Sequence, residues 1–236
     1  MQHRSKKIKK SFFIILVVLI VLSGGSAIYL GNYYHSVDVE KYMNGSSEVS
    51  VEKFDKGWFF DGAGEEKALI FYPGAKVATE AYAPLMYQLA ESGIDCFLVD
   101  MPFHMAFFGM NRAEEIMQEY NYEAWYLGGH SLGGAMAANF AADYVEDHTD
   151  GIRGLLLLAA YPTKDLSTSD MSVVTVYGSE DGVLNMDKIV AGRELMPQDY
   201  KEVCIEGGNH AQFGSYGTQK GDGTAAIPAE EQWART

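Results

Sequence analysis

The chain has 236 residues, 47% of them hydrophobic, which is enough for one α/β domain with a substantial core and too few for two ordinary enzymatic domains. Its net charge is −14, and because positions 1–10 hold five basic and no acidic residues, the rest of the chain carries −19. This charge disfavours a nucleic-acid partner, because phosphate binding requires positive surface.

The N-terminus has the pattern of a membrane anchor. A basic tail (residues 1–10) precedes an apolar segment (residues 11–30), and no further basic residue occurs before Lys41. A helix over this segment would be about 30 Å long, enough to span a bilayer. The charge bias predicts a single-pass membrane protein with a cytoplasmic N-terminus and an extracytoplasmic domain. The alternative is a cleaved signal peptide, with peptidase action at the small residues 25–27 and secretion of the domain.

The following residues divide into a stalk and a domain. Residues 31–47 are polar and turn-rich and predict a juxtamembrane stalk, whereas residues 48–236 form the predicted domain. It begins with a hairpin over 48–54 and 58–61. Helices are expected over 79–92 and 111–120, and strands over 68–72, 94–99, a run ending at Leu127, 155–160, 173–177 and 202–206. This alternation predicts an α/β fold with a mostly parallel, doubly wound sheet and helices on both faces.

The motif Gly129-His130-Ser131-Leu132-Gly133 lies between a predicted strand and a small-residue helix. Such a sharp turn needs glycines beside the serine and pushes its hydroxyl into the open, which makes Ser131 a candidate nucleophile. The backbone N–H of Leu132, at the helix start, would face the oxyanion formed by attack on a carbonyl. Because the pentapeptide arises by chance in roughly one chain of this length in ten, the alternative is a non-catalytic serine in a glycine turn.

Two later loops supply an acid and a base. His210 follows the 202–206 strand in a glycine-rich loop and is the candidate general base, while Asp181 follows the 173–177 strand and would orient the imidazole. Glu180 is a neighbouring alternative. Asp165, which follows the predicted strand 155–160, is the stronger alternative to Asp181 as the acid.

Four segments together resemble the α/β-hydrolase superfamily over roughly residues 68–232, in particular its small, nearly capless members related to dienelactone hydrolases. They are Tyr72-Pro73-Gly74-Ala75, the 129–134 motif, 177–182 and 207–210. The resemblance implies the α/β-hydrolase fold, a Ser131–Asp181–His210 triad and a second oxyanion donor at the Ala75 backbone N–H. The chain departs from the pattern at Pro73, where many members have His, and this weakens the assignment of the second donor.

The loop 101–110 is rich in aromatic residues and methionine. It predicts an apolar substrate pocket formed by Phe103, Met105, Phe107 and Phe108, although simple packing between strand and helix is an equal alternative. The compact spacing leaves no room for a large lid. Cys96 and Cys204 fall within predicted strands and are expected as buried thiols, and no metal-ligand pattern occurs.

These features predict a membrane-anchored serine hydrolase that cleaves an ester or thioester through an acyl-enzyme without metal or organic cofactor. Its expected partners are a small-molecule or lipid-like ester substrate and the membrane, through the N-terminal helix. The alternatives are an acyltransferase using the same triad and a non-catalytic, hydrolase-like binding protein. The natural substrate and the oligomeric state stay open, because fold and triad specify a reaction and the pocket specifies a molecule.

Overall fold

The centre of the fold is an eight-stranded sheet. A computed structural model describes Gly25 and residues 31–64, 66–148 and 151–236. The strand order is β1-β2-β4-β3-β5-β6-β7-β8. The first two strands and the β2–β4 pair are antiparallel, and all later neighbours are parallel. The strands are β1 (Ser50–Phe54), β2 (Gly57–Asp61), β3 (Lys67–Tyr72), β4 (Asp95–Val99), β5 (Ala124–His130), β6 (Ile152–Leu158), β7 (Ser172–Gly178) and β8 (Tyr200–Ile205).

Helices cover both faces of this sheet. Within the described residues they are α1 (Glu40–Met43), α2 (Ala83–Glu91), α3 (Arg112–Glu119), α4 (Leu132–Asp147), α5 (Met186–Gly192) and α6 (Ala229–Ala234). One apolar core forms where α3 and α4 pack on the sheet, and a second forms under α2 and α6. The central strands are buried on both faces, which explains their continuous apolar sequences. The predicted mostly parallel sheet with helices on both faces is confirmed.

The main differences from the predicted elements have local causes. The helix expected over 79–92 is divided into a 3₁₀ turn (Thr79–Tyr82) and α2, with Pro84 in the first turn of α2, where its missing N–H costs nothing. Cys96 is buried as expected, but Cys204 is exposed, because β8 lies at the edge of the sheet.

The predicted stalk over 31–47 differs most. One compact unit begins at Tyr34, which pairs with Val77 in a parallel bridge, while Val39 is buried and Val37 exchanges hydrogen bonds with Ser215. From Tyr34 onward the segment is therefore folded against the domain, since its apolar side chains and backbone groups find partners there. The predicted transmembrane segment 11–30 lies outside the described residues, Gly25 apart, and no helix within the described part is long and apolar enough to cross a membrane.

Candidate active site

Ser131 lies at the turn between β5 and α4 with a backbone that few side chains adopt. Its φ is 53° and its ψ −121°, and its N–H donates to the Leu158 carbonyl over 2.8 Å. Such a conformation is strained for a residue with a Cβ and persists only where the surroundings impose it. The strained turn lifts the hydroxyl out of the sheet at the carboxyl edge, where ligands of parallel α/β folds bind.

The glycines of the motif allow this turn by close backbone approach. A Cβ at Gly129 would lie 2.6 Å from the Gly133 carbonyl carbon, and one at Gly133 would overlap the carbonyl oxygens of Tyr72 and Pro73. Strand, helix and the loop after β3 therefore meet at distances that only glycine permits. The sequence-based interpretation of the motif as a strand–turn–helix corner agrees with the structure.

Asp181 and His210 form a buried pair at the same edge. The Asp181 Oδ2 atom lies 2.8 Å from Nδ1 of His210, and both side chains are only 2% exposed. The other carboxylate oxygen, Oδ1, accepts from the N–H groups of Val183 and Leu184 at 2.9 and 2.7 Å. The carboxylate is thereby fixed, the ring is held through Nδ1, and Nε2 is left for the serine side.

The two alternative acids lie elsewhere. Asp165 is exposed, accepts from the Ser167 N–H at 2.9 Å, and lines a different pocket under the far end of α4. The Ser167 hydrogen bond keeps the pKa of Asp165 below its usual range, as for a turn carboxylate. Glu180 accepts from the Ser179 hydroxyl. Of the three acids considered, the structure brings Asp181 to His210.

Ser131 and His210 line one cavity of about 340 Å³. Its remaining wall is largely apolar and consists of Leu132, Ala135, Met136, Ala159, Ala160, Tyr161, Thr163, Val183, Leu184 and Asn185. Within the described part of the chain, no hydrogen bond joins the Ser131 hydroxyl to His210, a looseness common in serine and histidine sites before substrate binds.

The predicted pocket residues are not in that wall. Phe103, Phe107 and Phe108 are exposed, and neither they nor Met105 line the cavity beside Ser131. The prediction that these side chains form the substrate pocket therefore disagrees with the structure. The loop after β4 turns outward, and residues of α4 and of the loops after β6 and β7 surround the serine instead.

The two predicted oxyanion donors lie at the start of α4 and in the turn after β3. The N–H of Leu132 is in the first turn of α4, where helix geometry leaves N–H groups without an intrahelical acceptor. In the turn after β3, the Gly74 N–H donates to the Tyr82 hydroxyl at 3.0 Å and the Lys76 N–H to the His104 carbonyl at 2.7 Å. Both neighbours are thus engaged, and the Ala75 N–H is the group of this turn that remains as a candidate donor.

A buried Tyr82–His130 pair, which the sequence did not reveal, supports this turn. The Tyr82 hydroxyl accepts from Gly74 and lies 2.7 Å from His130 Nδ1. With the hydroxyl donating to Nδ1, the proton of neutral His130 is on Nε2, a buried atom without a hydrogen-bond partner within the described residues. Burial and the adjacent His210 ring, with centroids 4.4 Å apart, lower the pKa of His130 well below its usual value. His130 is therefore neutral, as a hydrogen-bonded structural residue.

Asp222 connects the loop that contains Asp181 with the loop that contains His210. Its Oδ1 accepts from the N–H groups of Gly182 and His210 at 3.1 and 3.2 Å, and its Oδ2 from Ala211 at 2.8 Å. No local sequence pattern indicates these contacts of Asp222. No group of His, Cys, Asp and Glu side chains in the described residues could hold a metal ion.

Comparison with known proteins agrees with this fold. The family model described as alpha/beta hydrolase family matches residues 68–234. No curated protein sequence matches the chain.

Similar solved structures include Est1E from Butyrivibrio proteoclasticus, with a TM-score of 0.52 and 17% identity over 70% of this chain and 91% of that one. Carboxyl esterase 2 from the fungus Tuber melanosporum has a TM-score of 0.57 and 13% identity over 77% of this chain and 82% of that one. Carboxylesterase CesB from Bacillus subtilis has a TM-score of 0.52 and 9% identity over 73% of this chain and 89% of that one. At these identities the likeness shows the fold alone. With the family model spanning most of the folded unit, the chain belongs to the alpha/beta hydrolase family.

Proposed function

We propose that this protein is a serine hydrolase that cleaves an ester or thioester through an acyl-enzyme. One observation carries the proposal: a buried Asp181–His210 pair, 2.8 Å apart, adjoins a cavity that also contains the strained Ser131. Along the chain the order is Ser131, Asp181 and His210, with the roles of nucleophile, orienting acid and general base.

The reaction would proceed in two steps. His210 Nε2 removes the proton of the Ser131 hydroxyl while Oγ attacks the carbonyl carbon, and the N–H groups of Leu132 and Ala75 stabilise the oxyanion. His210 then returns the proton to the departing alcohol or thiol. A water molecule, deprotonated by the same nitrogen, hydrolyses the acyl-enzyme and regenerates Ser131.

The cavity favours an apolar acyl group. Its volume of about 340 Å³ is at the small end for ligand sites, and Leu132, Met136 and Leu184 contribute apolar surface. The names of the structural neighbours carboxyl esterase 2 and carboxylesterase CesB support an ester as the bond cleaved. Acyl transfer by the same triad would differ only in the acceptor, and product analysis with competing alcohols and amines distinguishes it from hydrolysis.

Labelling with a serine-directed fluorophosphonate tests the nucleophile. The full chain should be labelled and should hydrolyse activated short-chain esters, whereas Ser131→Ala should lose labelling and lower kcat by roughly 10⁶-fold. Ser92→Ala is the control, because Ser92 follows α2 and its hydroxyl bonds only the Gln88 carbonyl. Labelling that persists in Ser131→Ala would overturn the assignment. A wild-type chain that is never labelled would favour a hydrolase-like binding protein.

We further propose that residues 11–30 anchor the domain outside the cytoplasm, supported by the basic residues before this apolar segment. External protease on intact cells should then digest residues after 37, and the mass of the protein should include Met1 or Gln2. A mature N-terminus near Ile28 would show signal cleavage and secretion instead. Protection of the domain from external protease would overturn the orientation.

A further inference from the structure

The loop between β4 and α3, which we call the aromatic loop (residues 101–110), displays three phenylalanines to solvent. Phe103, Phe107 and Phe108 are 59%, 67% and 55% exposed. Phe108 contacts both others, with ring centroids 5.7 Å from Phe103 and 5.5 Å from Phe107. Single exposed apolar residues are ordinary, but a contiguous cluster of three rings marks an interaction surface.

The backbone fixes this exposure. Phe103 and His104 both have positive φ, 56° and 55°, a conformation that costs energy for side chains of this size. Ala106 is fully buried, and the turn that begins with it packs on α4. The loop is thus anchored from beneath while its rings lie outside both cores.

The chain enters the domain next to this loop. The Tyr34 N–H donates to the Lys76 carbonyl at 2.7 Å, and the Lys76 N–H donates to the His104 carbonyl at the same distance. The apolar segment ends at Leu30, so at most about 3.6 Å per residue gives roughly 14 Å to Tyr34. If that segment crosses a bilayer, the edge bearing the aromatic loop is tethered close to the lipid headgroups.

We propose that the aromatic loop inserts into the surface of the bilayer and that the substrate is an ester or thioester of a membrane-resident amphiphile. This inference rests on the proposed hydrolase and its anchor. The loop leaves the same carboxyl edge as Ser131, and its His104 carbonyl binds the turn that contains Ala75. Because residues 11–236 carry a net charge of −19, the fitting surface is zwitterionic and not strongly anionic.

Fluorescence quenching on the full chain tests the docking. The protein is reconstituted into phosphatidylcholine vesicles that carry nitroxide lipids, with an environment-sensitive dye on Phe107→Cys in a Cys204→Ser background. Cys96 is fully buried and burial raises the pKa of its thiol, so it should not react. The control is Val203→Cys, an exposed apolar position on β8, five strands from β4, or roughly 24 Å at about 4.8 Å per strand.

The dye at 107 should shift to the blue and be quenched at least fivefold more than the dye at 203. Equal quenching at both positions in vesicle-bound protein would overturn the docking. So would a blue shift without vesicles that grows with protein concentration, which would indicate a second copy of the chain as the partner. Failure of the full chain to float with vesicles would overturn the anchor and the docking together.

Kinetics test the substrate class. Phe107→Ser/Phe108→Ser should lower the ratio of hydrolysis of a long-chain ester in vesicles to that of a soluble short-chain ester by about tenfold, because apolar area is removed from the interface. Val203→Ser should leave this ratio unchanged, and an unchanged ratio in the double variant would overturn the assignment of an amphiphile. A wild-type chain without esterase activity would refute the proposed hydrolase, while the quenching result would still decide the docking.

Discussion

The loop after β8 and the loop after β4 leave the same edge of the sheet, but the first buries its key side chain and the second exposes its aromatic side chains. The first buries His210 to 1% exposure and gives its ring and backbone hydrogen bonds to Asp181 and Asp222. The second exposes its phenylalanines by more than half. A buried imidazole held through Nδ1 has one tautomer and one orientation, which acid–base chemistry requires. The exposed rings contact one another but belong to neither apolar core, and the proposed bilayer surface would cover them.

The largest expected effect separates Asp181, which binds the His210 ring, from its alternative Asp165. Asp181→Asn should preserve the fold and lower kcat by roughly 10⁴-fold, because an amide can hold the wrong imidazole tautomer. Asp165→Asn should change kcat by less than about twofold, since its carboxylate bonds a local turn. Steady-state kinetics, with folding matched by circular dichroism, provide the measurement. A severe loss in Asp165→Asn with near-normal Asp181→Asn would transfer the role to the earlier strand.

Asp222→Ala tests whether the position of His210 depends on the hydrogen bonds that Asp222 accepts. The carboxylate accepts from the Gly182 N–H, next to Asp181, and from the N–H groups of His210 and Ala211. Its removal should therefore displace His210 and lower kcat by about 10²-fold. KM should rise less than kcat falls. Asp187→Ala, an exposed acidic position in the first turn of α5, is the control. Wild-type kcat in Asp222→Ala would show that the loops hold their geometry without it.

The contrast between the two loops also marks what the sequence could predict. The strands and the Ser131 corner follow from hydrophobic period and glycine placement, which are local signals. The pairing of Asp181 with His210 joins residues 29 positions apart and is expected from chain order and from the resemblance to α/β-hydrolases. The exposure of the aromatic loop could not be predicted, because an apolar run in a loop has the same sequence pattern whether it lines a pocket or faces solvent. The Tyr82–His130 pair and the hydrogen bond of Asp222 with His210 join residues 48 and 12 positions apart, and no local pattern reports such contacts. Packing of 34–47 on the domain was missed for the same reason.

Tyr82→Phe should separate positioning of the oxyanion turn from general stability. Loss of the hydroxyl leaves the Gly74 N–H without its acceptor and His130 Nδ1 without its hydrogen-bond partner, so kcat should fall about tenfold with KM changed less than about twofold. Tyr72→Phe is the matched control, because this equally buried hydroxyl bonds Met110 and Ala113, away from that turn. Equal losses of kcat in the two variants would reduce Tyr82 to a packing role.

The smallest effect concerns the neutral state of His130 and is read as stability, not activity. Its pKa in the folded protein lies well below the ordinary value because of burial and the nearby His210, whereas in the unfolded chain it returns to about 6.5. As pH falls below about 6.5, the unfolded state binds a proton that the folded state refuses, so stability is lost in that direction, by at most about 1.4 kcal/mol per pH unit.

Denaturant unfolding at pH 7.5, 6.5 and 5.5 measures this slope. His130→Asn keeps an acceptor for the Tyr82 hydroxyl but cannot titrate, so its stability should fall less steeply over this range. His104, whose pKa burial also lowers, contributes in the same direction to wild type and variant alike and cancels in the comparison. His148→Asn, an exposed position stacked on Tyr144, should keep the wild-type slope. Identical slopes in all three proteins would mean that His130 can bind a proton without cost, and that its closeness to His210 does not keep it neutral.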